Sequence, residues 1–384
     1  MTDYSLGPNA HLVGVPGSRS LLDTPALCID RDALDRNIAA MAAHAAAIGL
    51  GLRPHAKTHK SVRVAKLQQE AGAIGISCAT LGEAEVMVRG GIKGVLVTSP
   101  VVTPVKIARL AALNGCAHDG LMVVVDHPRN LADLDAAAQK WGKQLDVLID
   151  CAAGYHRTGV ADEASLLALA RQAMAAEGLR LRGIQHYSGN VQHIAGREER
   201  RRVALERLDR LAALVARARD IGASIEIVTG AGTGTFDLDP EAHVFTELQC
   251  GSYVFMDVEY QQVMADGRNG PPFETALFVQ TAVVSVNAAP MGFVSVDGGL
   301  KCFATDGPQP ELLSGAPAGS RYERFGDEHG KLVLAPGAAP PDLGDRVEWM
   351  TPHCDPTVNL HDVYHVLRGD TLEEIWPVNA RGKR

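Results

Sequence analysis

Eight short apolar runs that alternate with helical patterns constrain the fold of this 384-residue chain more than any other feature. The runs are Gly51–Arg53, Ala73–Ser77, Gly94–Thr98, Leu121–Val125, Leu145–Asp150, Leu181–His186, Ile225–Thr229 and Phe245–Cys250. Helical patterns lie between them, as at 131–141, 163–176 and 197–221. Short apolar runs separated by helices are typical of buried parallel strands, and eight such units predict a closed barrel. We therefore predict an α/β fold built on a TIM-type (β/α)8 barrel.

The last third of the chain has a different pattern, which predicts a second, β-rich domain. Strands are predicted at 273–287, 294–297, 346–350, 364–367 and 371–377. Between them, the stretch 308–345 is rich in Gly and Pro and is predicted to be mostly loop. We assign residues 30–270 to the barrel and 271–384 to the C-terminal β domain. Residues 1–29 are expected to contribute one more strand, Ala26–Ile29, to that domain.

Composition excludes several classes of partner. The formal net charge is −8 and no basic stripe is interleaved with aromatic residues, so we expect no nucleic-acid partner. Met1–Pro16 lacks the charged and apolar regions of a secretory signal, and no apolar run approaches the ~20 residues of a membrane span. The seven cysteines are odd in number and scattered, which indicates reduced thiols in a cytoplasmic protein.

The segment Arg53–Lys60, with the sequence RPHAKTHK, follows the first predicted barrel strand and contains a chemically notable lysine. Lys57 lies just beyond that strand, with His55 and His59 two residues to either side. A lysine at the mouth of a sheet among other cationic groups is expected to have a depressed pKa, and a neutral amine forms Schiff bases with aldehydes. The alternative is a solvated basic loop that caps the strand.

Other polar residues follow later predicted strands, at the carboxyl end of the barrel where barrel enzymes place their active sites. Asp150 and Arg157 follow strand five. His186 and Tyr187 end strand six, and His193 lies in the loop beyond it. We therefore expect these side chains to line the same end of the barrel as Lys57.

The Gly/Thr-rich segment Thr229–Thr235 follows strand seven and has the composition of a phosphate-binding loop. Small residues let backbone N–H groups approach phosphate oxygens, and threonine hydroxyls add donors. The segment is neither a Walker loop nor a dinucleotide fingerprint, because it lacks the spacing of both. Barrel phosphate sites often use the loops after strands seven and eight, so Gly251 and Ser252 are predicted to complete the cradle. The alternative is a flexible glycine loop.

The C-terminal motif Pro352–Asp362 pairs an imidazole with a carboxylate. In an extended segment His353 and Asp355 project to the same side, which suits a divalent metal with water or substrate at its open positions. Cys354 then faces the other way and is predicted to be a core thiol. The alternative is a solvated surface pair.

Taken together, these motifs resemble the D-threonine aldolase and eukaryotic-type D-serine dehydratase family of fold-type III pyridoxal-phosphate (PLP) enzymes. That family has an alanine-racemase-like barrel and a C-terminal β domain, so the resemblance implies the same fold here. It extends from Asp23 to Gly382 and is carried by 53–60, 154–160, 230–235, 246–257, 327–330 and 353–357.

The resemblance implies a role for each matching residue. It implies that Lys57 forms the Schiff base with PLP and that Arg157 contacts the pyridine nitrogen; we add Tyr187 to the candidate cofactor-binding residues. The residues implied to hold the phosphate are Gly232, Thr233, Gly251 and Ser252. The resemblance also implies a divalent metal, Mn²⁺ or Mg²⁺ with Zn²⁺ as an alternative, on His353 and Asp355.

The implied activity is retro-aldol cleavage of D-3-hydroxy-amino acids, D-threonine and D-allo-threonine, to glycine and an aldehyde. The metal would bind the β-hydroxyl as a Lewis acid, and His193 or a hydroxide on the metal would remove its proton. The aldolase branch matches better, because Asp355 stands where the dehydratase branch tends to place cysteine.

Several alternatives stay open. They are a D-serine dehydratase in which Lys57 removes the α-proton, a D-3-hydroxyaspartate aldolase, a racemase, and a PLP carrier protein without turnover. The C-terminal β domain with its metal pair argues against the carrier, because carriers of this fold are little more than the barrel. The family also implies a homodimer.

Overall fold

The structure is a computed structural model that describes residues 6–117, 120–152, 154, 156–265 and 272–384. The chain divides into two compact units. The β unit comprises Met1–Ala39, Thr58–Ser61 and Ser252–Gly382, and the barrel unit comprises Ala40–Lys57, Val62–Gly251 and Lys383–Arg384. The predicted domain boundary, between residues 270 and 271, lies outside the described residues. Within the described ranges, no helix is both long enough and apolar enough to cross a membrane.

The chain opens with strand β1 (Ala26–Asp30), which belongs to the β unit, and helix α1 (Arg31–Ala47). Asp30 caps this helix, because its Oδ1 accepts a hydrogen bond from the backbone N–H of Ala33 at 3.0 Å. This side-chain bond sets where the Ala-rich helix begins.

The barrel unit is a ring of eight parallel strands. They are β2 (Gly51–Leu52), β3 (Ile76–Cys78), β4 (Val95–Val97), β5 (Leu121–Val125), β6 (Leu145–Cys151), β7 (Leu179–His186), β8 (Ile227–Gly230) and β9 (Glu247–Leu248). They pair in the order β2-β9-β8-β7-β6-β5-β4-β3. Ile74 N–H donates to Leu52 C=O and Ser77 N–H to Pro54 C=O, both at 2.8 Å, which closes the ring. Each predicted run overlaps one strand, so the predicted (β/α)8 barrel is confirmed.

Six helices connect the barrel strands. They are α2 (Val62–Glu70), α3 (Leu81–Arg89), α4 (Pro104–Cys116), α5 (Pro128–Trp141), α6 (Glu163–Ala175) and α7 (Arg197–Asp220). Side chains fix where several of them begin. Thr80 and Glu83 form a capping box at α3, and Asp162 accepts from Ser165 N–H at 2.8 Å at α6. Every residue of β5 and β6 is buried, as expected for strands between a helical layer and a packed barrel interior.

The β unit is built on one mixed sheet. Besides β1, its strands are β10 (Leu277–Ser285), β11 (Phe293–Val296), β12 (Glu311–Ser314), β13 (Arg321–Arg324), β14 (Gly330–Val333), β15 (Arg346–Met350), β16 (Val363–Arg368) and β17 (Thr371–Pro377). The order is β13-β14-β11-β10-β1-β16-β17, with β15 pairing β10 and β12. Two short helices, α8 (Val258–Met264) and α9 (Cys354–Val358), complete the unit. Strand β1 lies between β10 and β16, so the expected contribution of the N-terminal segment is confirmed.

The stretch 308–345 is mostly loop, as predicted, but it also contains three short strands that the sequence did not indicate, β12, β13 and β14. Each strand is only four residues long, and β12 has no buried residue. Gly315, Gly319 and Gly326 between them have positive φ, which turns require. Short, partly exposed strands with turn residues at both ends carry little hydrophobic signal, so the glycines dominated the pattern.

Candidate active site

The segment after β2 fixes the main chain at Lys57. His55 N–H donates to Cys250 C=O at 3.2 Å, and Ala56 N–H donates to Ser77 C=O at 2.8 Å. The N–H of Lys57 itself donates to Nδ1 of His55 at 3.3 Å. The Lys57 side chain is half-buried. The main chain is therefore hydrogen-bonded to both neighbouring strands up to the residue before the lysine.

The histidines that flank Lys57 act as hydrogen-bond acceptors. His55 Nδ1 accepts from the Lys57 N–H, and His59 Nδ1 accepts from the Ser61 N–H at 3.1 Å. Each ring uses the lone pair of its Nδ1 for a backbone bond, which holds the two imidazoles beside the lysine segment. The depressed pKa expected for Lys57 stays a prediction.

A chain of buried polar groups crosses the barrel from His55. His55 Nε2 lies 3.1 Å from Thr98 Oγ1, and the Thr98 carbonyl accepts from Gln185 Nε2 at 3.1 Å. Gln185 Nε2 also donates to Asp150 Oδ1 at 3.0 Å, and Thr158 Oγ1 donates to Asp150 Oδ2 at 2.6 Å. Because buried polar groups that are satisfied in a network rigidify one another, this chain ties the lysine segment to the loop after β6.

That loop brings two predicted cofactor-binding residues together. The Arg157 guanidinium carbon lies 5.4 Å from the centroid of the Tyr187 ring, within the range of a cation–π contact. Burial raises the pKa of the neighbouring Asp150 carboxyl, and the charge of Arg157 opposes that rise. Ala153 and Tyr155, from the same motif, lie outside the described residues.

The Gly/Thr loop after β8 is held in place by Gln192. Gly234 N–H donates to Gln192 Oε1 at 2.9 Å, and Gln192 Nε2 donates to Thr235 Oγ1 at 3.0 Å. A Cβ at Gly232 would lie 2.5 Å from Gln192 Oε1, so any larger residue here would displace the Gln192 side chain. Thr233 is buried between these glycines. A loop with fixed backbone groups and threonine hydroxyls fits the needs of a phosphate group better than a solvated glycine loop does.

A buried carboxyl group lies behind this loop. Thr235 Oγ1 donates to Asp239 Oδ2 at 2.5 Å, and burial raises the pKa of Asp239 to about 7. The loop therefore rests on a side chain that carries a proton for part of its time near neutral pH.

The other residues predicted for this site lie at the ends of short elements. Gly251 ends the barrel unit, and Ser252, which is buried, starts the 3₁₀ helix Ser252–Val254 of the β unit. His193 is exposed at the end of the 3₁₀ helix Gly189–His193. His186 is buried, and burial lowers its pKa to about 4, which makes it a neutral core side chain.

In the β unit, the predicted metal pair lies at the start of α9. The expected extended conformation is wrong beyond His353, because Cys354–Val358 is helical with His353 at its N-cap. Asp355 is therefore in the first helical turn, followed by Pro356. Proline is tolerated there because the first turn has no acceptors for its N–H groups.

One buried carboxylate anchors this helix start. Asp257 Oδ2 accepts from Cys354 N–H at 2.9 Å, and its Oδ1 accepts from Tyr260 N–H at 2.9 Å at the start of α8. Burial raises the pKa of Asp257 to about 6. Cys354 is buried, and its thiol donates to Met256 C=O at 3.3 Å, so the prediction of a core thiol is confirmed.

Three carboxylates surround His353. Its Nδ1 lies 3.0 Å from Asp306 Oδ2. Burial acts to lower the pKa of His353, but the charges of Asp355, Asp257 and Asp306 outweigh it and raise the pKa. An environment that favours positive charge, with one imidazole and carboxylate oxygens, fits a divalent cation.

Among the described residues, no group of three or more His, Cys, Asp or Glu is arranged to hold a metal ion. The predicted pair would therefore supply two protein donors, and water or substrate would supply the others.

Several supporting residues were missed at the level of sequence. Asp306, Gln192 and Asp239 belong to no recognisable motif and act through partners at least four residues away. Asp257 had a local signal, since an aspartate just before a helix is a common N-cap.

Comparison with known proteins agrees with this fold. Residues 29–259 match the family model of the alanine racemase N-terminal domain, and residues 276–367 match that of a putative serine dehydratase domain. The chain therefore belongs to the alanine racemase N-terminal domain family, and the sequence resemblance to this fold is confirmed.

Individual relatives cover nearly the whole chain. The 3-hydroxy-D-aspartate aldolase of Paracoccus denitrificans (strain Pd 1222) is 40% identical over 378 residues, 96% of this chain and 95% of the relative. The D-threonine aldolase of an Arthrobacter species is 40% identical over 362 residues, 94% and 93% of the two chains. The crystal structure of D-threonine aldolase from Filomicrobium marinum superposes with a TM-score of 0.89 at 40% identity, covering 95% of this chain and 96% of that one.

Proposed function

We propose that this chain is a PLP- and divalent-metal-dependent aldolase that cleaves D-3-hydroxy-amino acids to glycine and an aldehyde. The observation that carries the proposal is the pair His353 and Asp355 at the start of α9, in a chain that is similar over nearly its whole length to two aldolases. The second residue of this pair is a carboxylate, Asp355, whereas the dehydratase branch of the family that the chain resembles typically has a cysteine there.

In the barrel unit, we propose that Lys57 holds PLP covalently and that Arg157 contacts its pyridine nitrogen beside Tyr187. The residues proposed for the phosphate are Gly232, Thr233, Gly251 and Ser252. When bound, PLP supplies an electron sink for the electron pair of the broken Cα–Cβ bond. Arg157 would leave the pyridine nitrogen unprotonated, because two cations in contact repel.

In the β unit, we propose that His353 and Asp355 hold Mn²⁺ or Mg²⁺. Carboxylate oxygen favours these hard cations over Zn²⁺. When bound there, such a cation would supply Lewis-acid chemistry at the β-hydroxyl of the substrate. His193, whose imidazole is exposed, is the proposed base for the hydroxyl proton.

We propose that the substrate has the D configuration at Cα and either configuration at Cβ. A cation on His353 and Asp355 would hold the β-hydroxyl, and the resemblance to enzymes that act on D-amino acids supports the D configuration at Cα. A small β-substituent that can rotate would let either β-epimer present its hydroxyl to those residues' cation. D-threonine and D-allo-threonine should therefore both be cleaved.

Turnover of the four threonine stereoisomers tests this function. The holoenzyme is incubated with each isomer and with Mn²⁺, Mg²⁺ or Zn²⁺, and acetaldehyde and 2-oxobutanoate are measured separately. We expect acetaldehyde plus glycine from both D-isomers, essentially no cleavage of the L-isomers, and loss of turnover after chelation. Comparable cleavage of L-threonine, or 2-oxobutanoate as the main product, would overturn the aldolase assignment.

The role of Lys57 has its own test. The purified protein should absorb visible light through the cofactor, and Lys57→Ala should lose both that band and turnover. Borohydride reduction followed by peptide mapping should place the cofactor on the peptide that contains Lys57. A label on another lysine would contradict the assignment.

A D-3-hydroxyaspartate aldolase is the second candidate, because one relative with 40% identity has that activity by name. The two candidates differ only in the preferred β-substituent, so kcat/KM for D-threonine and D-3-hydroxyaspartate, measured side by side, decides between them. We further propose a cytoplasmic homodimer. The family resemblance supports the dimer, and the absence of a disulfide among the seven cysteines, all of which lie in the described residues, supports a reducing compartment. Light scattering on the purified protein tests the dimer.

A further inference from the structure

Asp306 makes a specific contact with the proposed metal ligand His353. Asp306 lies in the segment between β11 and β12, and His353 lies 47 residues further along the chain. Oδ2 of Asp306 is 3.0 Å from Nδ1 of His353. The aspartate side chain is 53% exposed, whereas the imidazole is only 23% exposed. An exposed carboxylate thus reaches the edge of a half-buried ring.

This contact matches one tautomer of His353. Asp306 Oδ2 faces Nδ1, and a carboxylate oxygen accepts a hydrogen bond there from the tautomer that carries its proton on Nδ1. In the neutral ring Nε2 then keeps its lone pair, and Nε2 is the nitrogen left to bind a cation. The contact therefore selects the tautomer that a metal site at Nε2 needs.

The main chain of His353 is fixed independently of Asp306. The His353 carbonyl accepts from Thr357 Oγ1 at 2.7 Å, and the next N–H, that of Cys354, donates to Asp257. With the backbone held on both sides, the orientation of the ring is the remaining freedom. The bond to Asp306 removes it.

We infer that Asp306 is a positioning residue for the metal site: it orients the ring of His353, fixes its tautomer and increases the basicity of Nε2. The inference rests on the proposed function of His353 and Asp355. Carboxylates that accept from the second nitrogen of a metal-bound histidine strengthen metal binding, and their removal weakens it by about 10–100-fold.

Direct measurement of Mn²⁺ binding tests the inference without relying on turnover. The holoenzyme is stripped of metal with chelator, and its Mn²⁺ affinity is measured by titration calorimetry and by electron paramagnetic resonance of free Mn²⁺. The variants are Asp306→Asn, Asp306→Glu and His353→Ala. Asp342→Asn, an exposed aspartate in the same unit, is the matched control.

We expect Asp306→Asn to bind Mn²⁺ about 10–100-fold more weakly than the wild type. Asp306→Glu should recover part of the affinity, because it restores a carboxylate, and Asp342→Asn should match the wild type. The melting temperature and the visible absorbance of the cofactor should not change in any of them. A loss of affinity that Asp306→Glu does not relieve would indicate a merely structural role and would overturn the inference.

The remaining outcomes separate this inference from the proposed function. If His353→Ala binds Mn²⁺ as tightly as the wild type, the proposed metal site itself is wrong. If His353→Ala loses binding while Asp306→Asn stays within about twofold of the wild type, the positioning role fails and the metal site stands. If Asp306→Asn loses binding as completely as His353→Ala, Asp306 is a direct ligand and the positioning role also fails.

Discussion

The ion pair between Arg53 and Glu247 offers the sharpest test of how the barrel holds the lysine segment. Arg53 Nε donates to Glu247 Oε1 at 2.7 Å, and Nη2 donates to Oε2 at 2.9 Å. The two side chains are only 5% and 3% exposed. Glu247 begins β9, and Arg53 directly follows β2, four residues before Lys57. The bidentate pair therefore joins the first strand of the barrel to the last one, which is its neighbour in the ring.

Glu247→Gln keeps the shape of the side chain and removes its charge. The arginine side chain keeps its proton in proteins, so the variant leaves the buried guanidinium of Arg53 without its counter-charge. Removing one partner of a buried pair costs about 3–5 kcal/mol. For a unit of this size, each kcal/mol lowers the melting temperature by about 2–4 °C, so we expect a decrease of roughly 6–20 °C.

A second arginine–glutamate pair provides the control. Arg36 and Glu274 have the same bidentate geometry, at 2.6 and 2.8 Å, but their side chains are 58% and 54% exposed. Exposed pairs contribute little, because water screens the charges in both the folded and unfolded states. Glu274→Gln should therefore melt close to the unaltered protein.

Thermal unfolding followed by circular dichroism compares the two variants. All samples are heated at one scan rate, because proteins of this size often unfold irreversibly and their apparent melting temperatures depend on the rate. If Glu247→Gln melts no lower than Glu274→Gln, burial does not make the first pair important and the reasoning is refuted.

Two further predictions concern the loop after β8. Burial raises the pKa of Asp239 from 3.8 to about 7. The folded state therefore binds this proton more tightly than the unfolded state does. The free energy of unfolding should fall by on the order of 4 kcal/mol as the pH rises from about 4 to 7. Asp239→Asn should flatten this part of a plot of melting temperature against pH, and an unchanged slope would contradict the assignment. Gly232→Ala should release cofactor during dialysis, because its Cβ would meet Gln192. The release is measured as a loss of visible absorbance. The control Gly115→Ala, whose Cβ would have its nearest neighbour 4.0 Å away, should retain the cofactor.

The barrel was predictable from sequence because its strands are buried on both faces. Such strands appear as continuous apolar runs, as in Leu121–Val125, and each of the eight runs identified a strand. The four-residue strands within 308–345 lack that signal, because half or more of the residues of each are not buried. Their pairing depends on partners elsewhere in the chain, such as β15 for β12, which local patterns do not reveal.

At the candidate site, the sequence identified the residues that are proposed to carry out the chemistry. It missed most of the supporting residues that form hydrogen bonds to them or to their loops. Lys57, Arg157 and His353 occur in motifs whose residue types indicate their chemistry. Gln185 and Asp306 are ordinary polar residues, and only the fold brings them within hydrogen-bond distance of Asp150 and His353. Local sequence also gave the wrong conformation after His353, because the anchor of that helix, Asp257, lies almost a hundred residues earlier.

The two halves of the proposed chemistry share one structural device. The main-chain N–H of Lys57 is bound by a buried side chain, His55, and the N–H of Cys354, just before Asp355, is bound by another, Asp257. In each case a buried side chain fixes the backbone at or next to the functional residue, while the functional side chain stays half-buried. Bonds of this kind fix the position of a reactive group through its main chain, independently of what its side chain contacts. Catalytic preorganisation in this chain therefore depends on residues that need not touch any ligand.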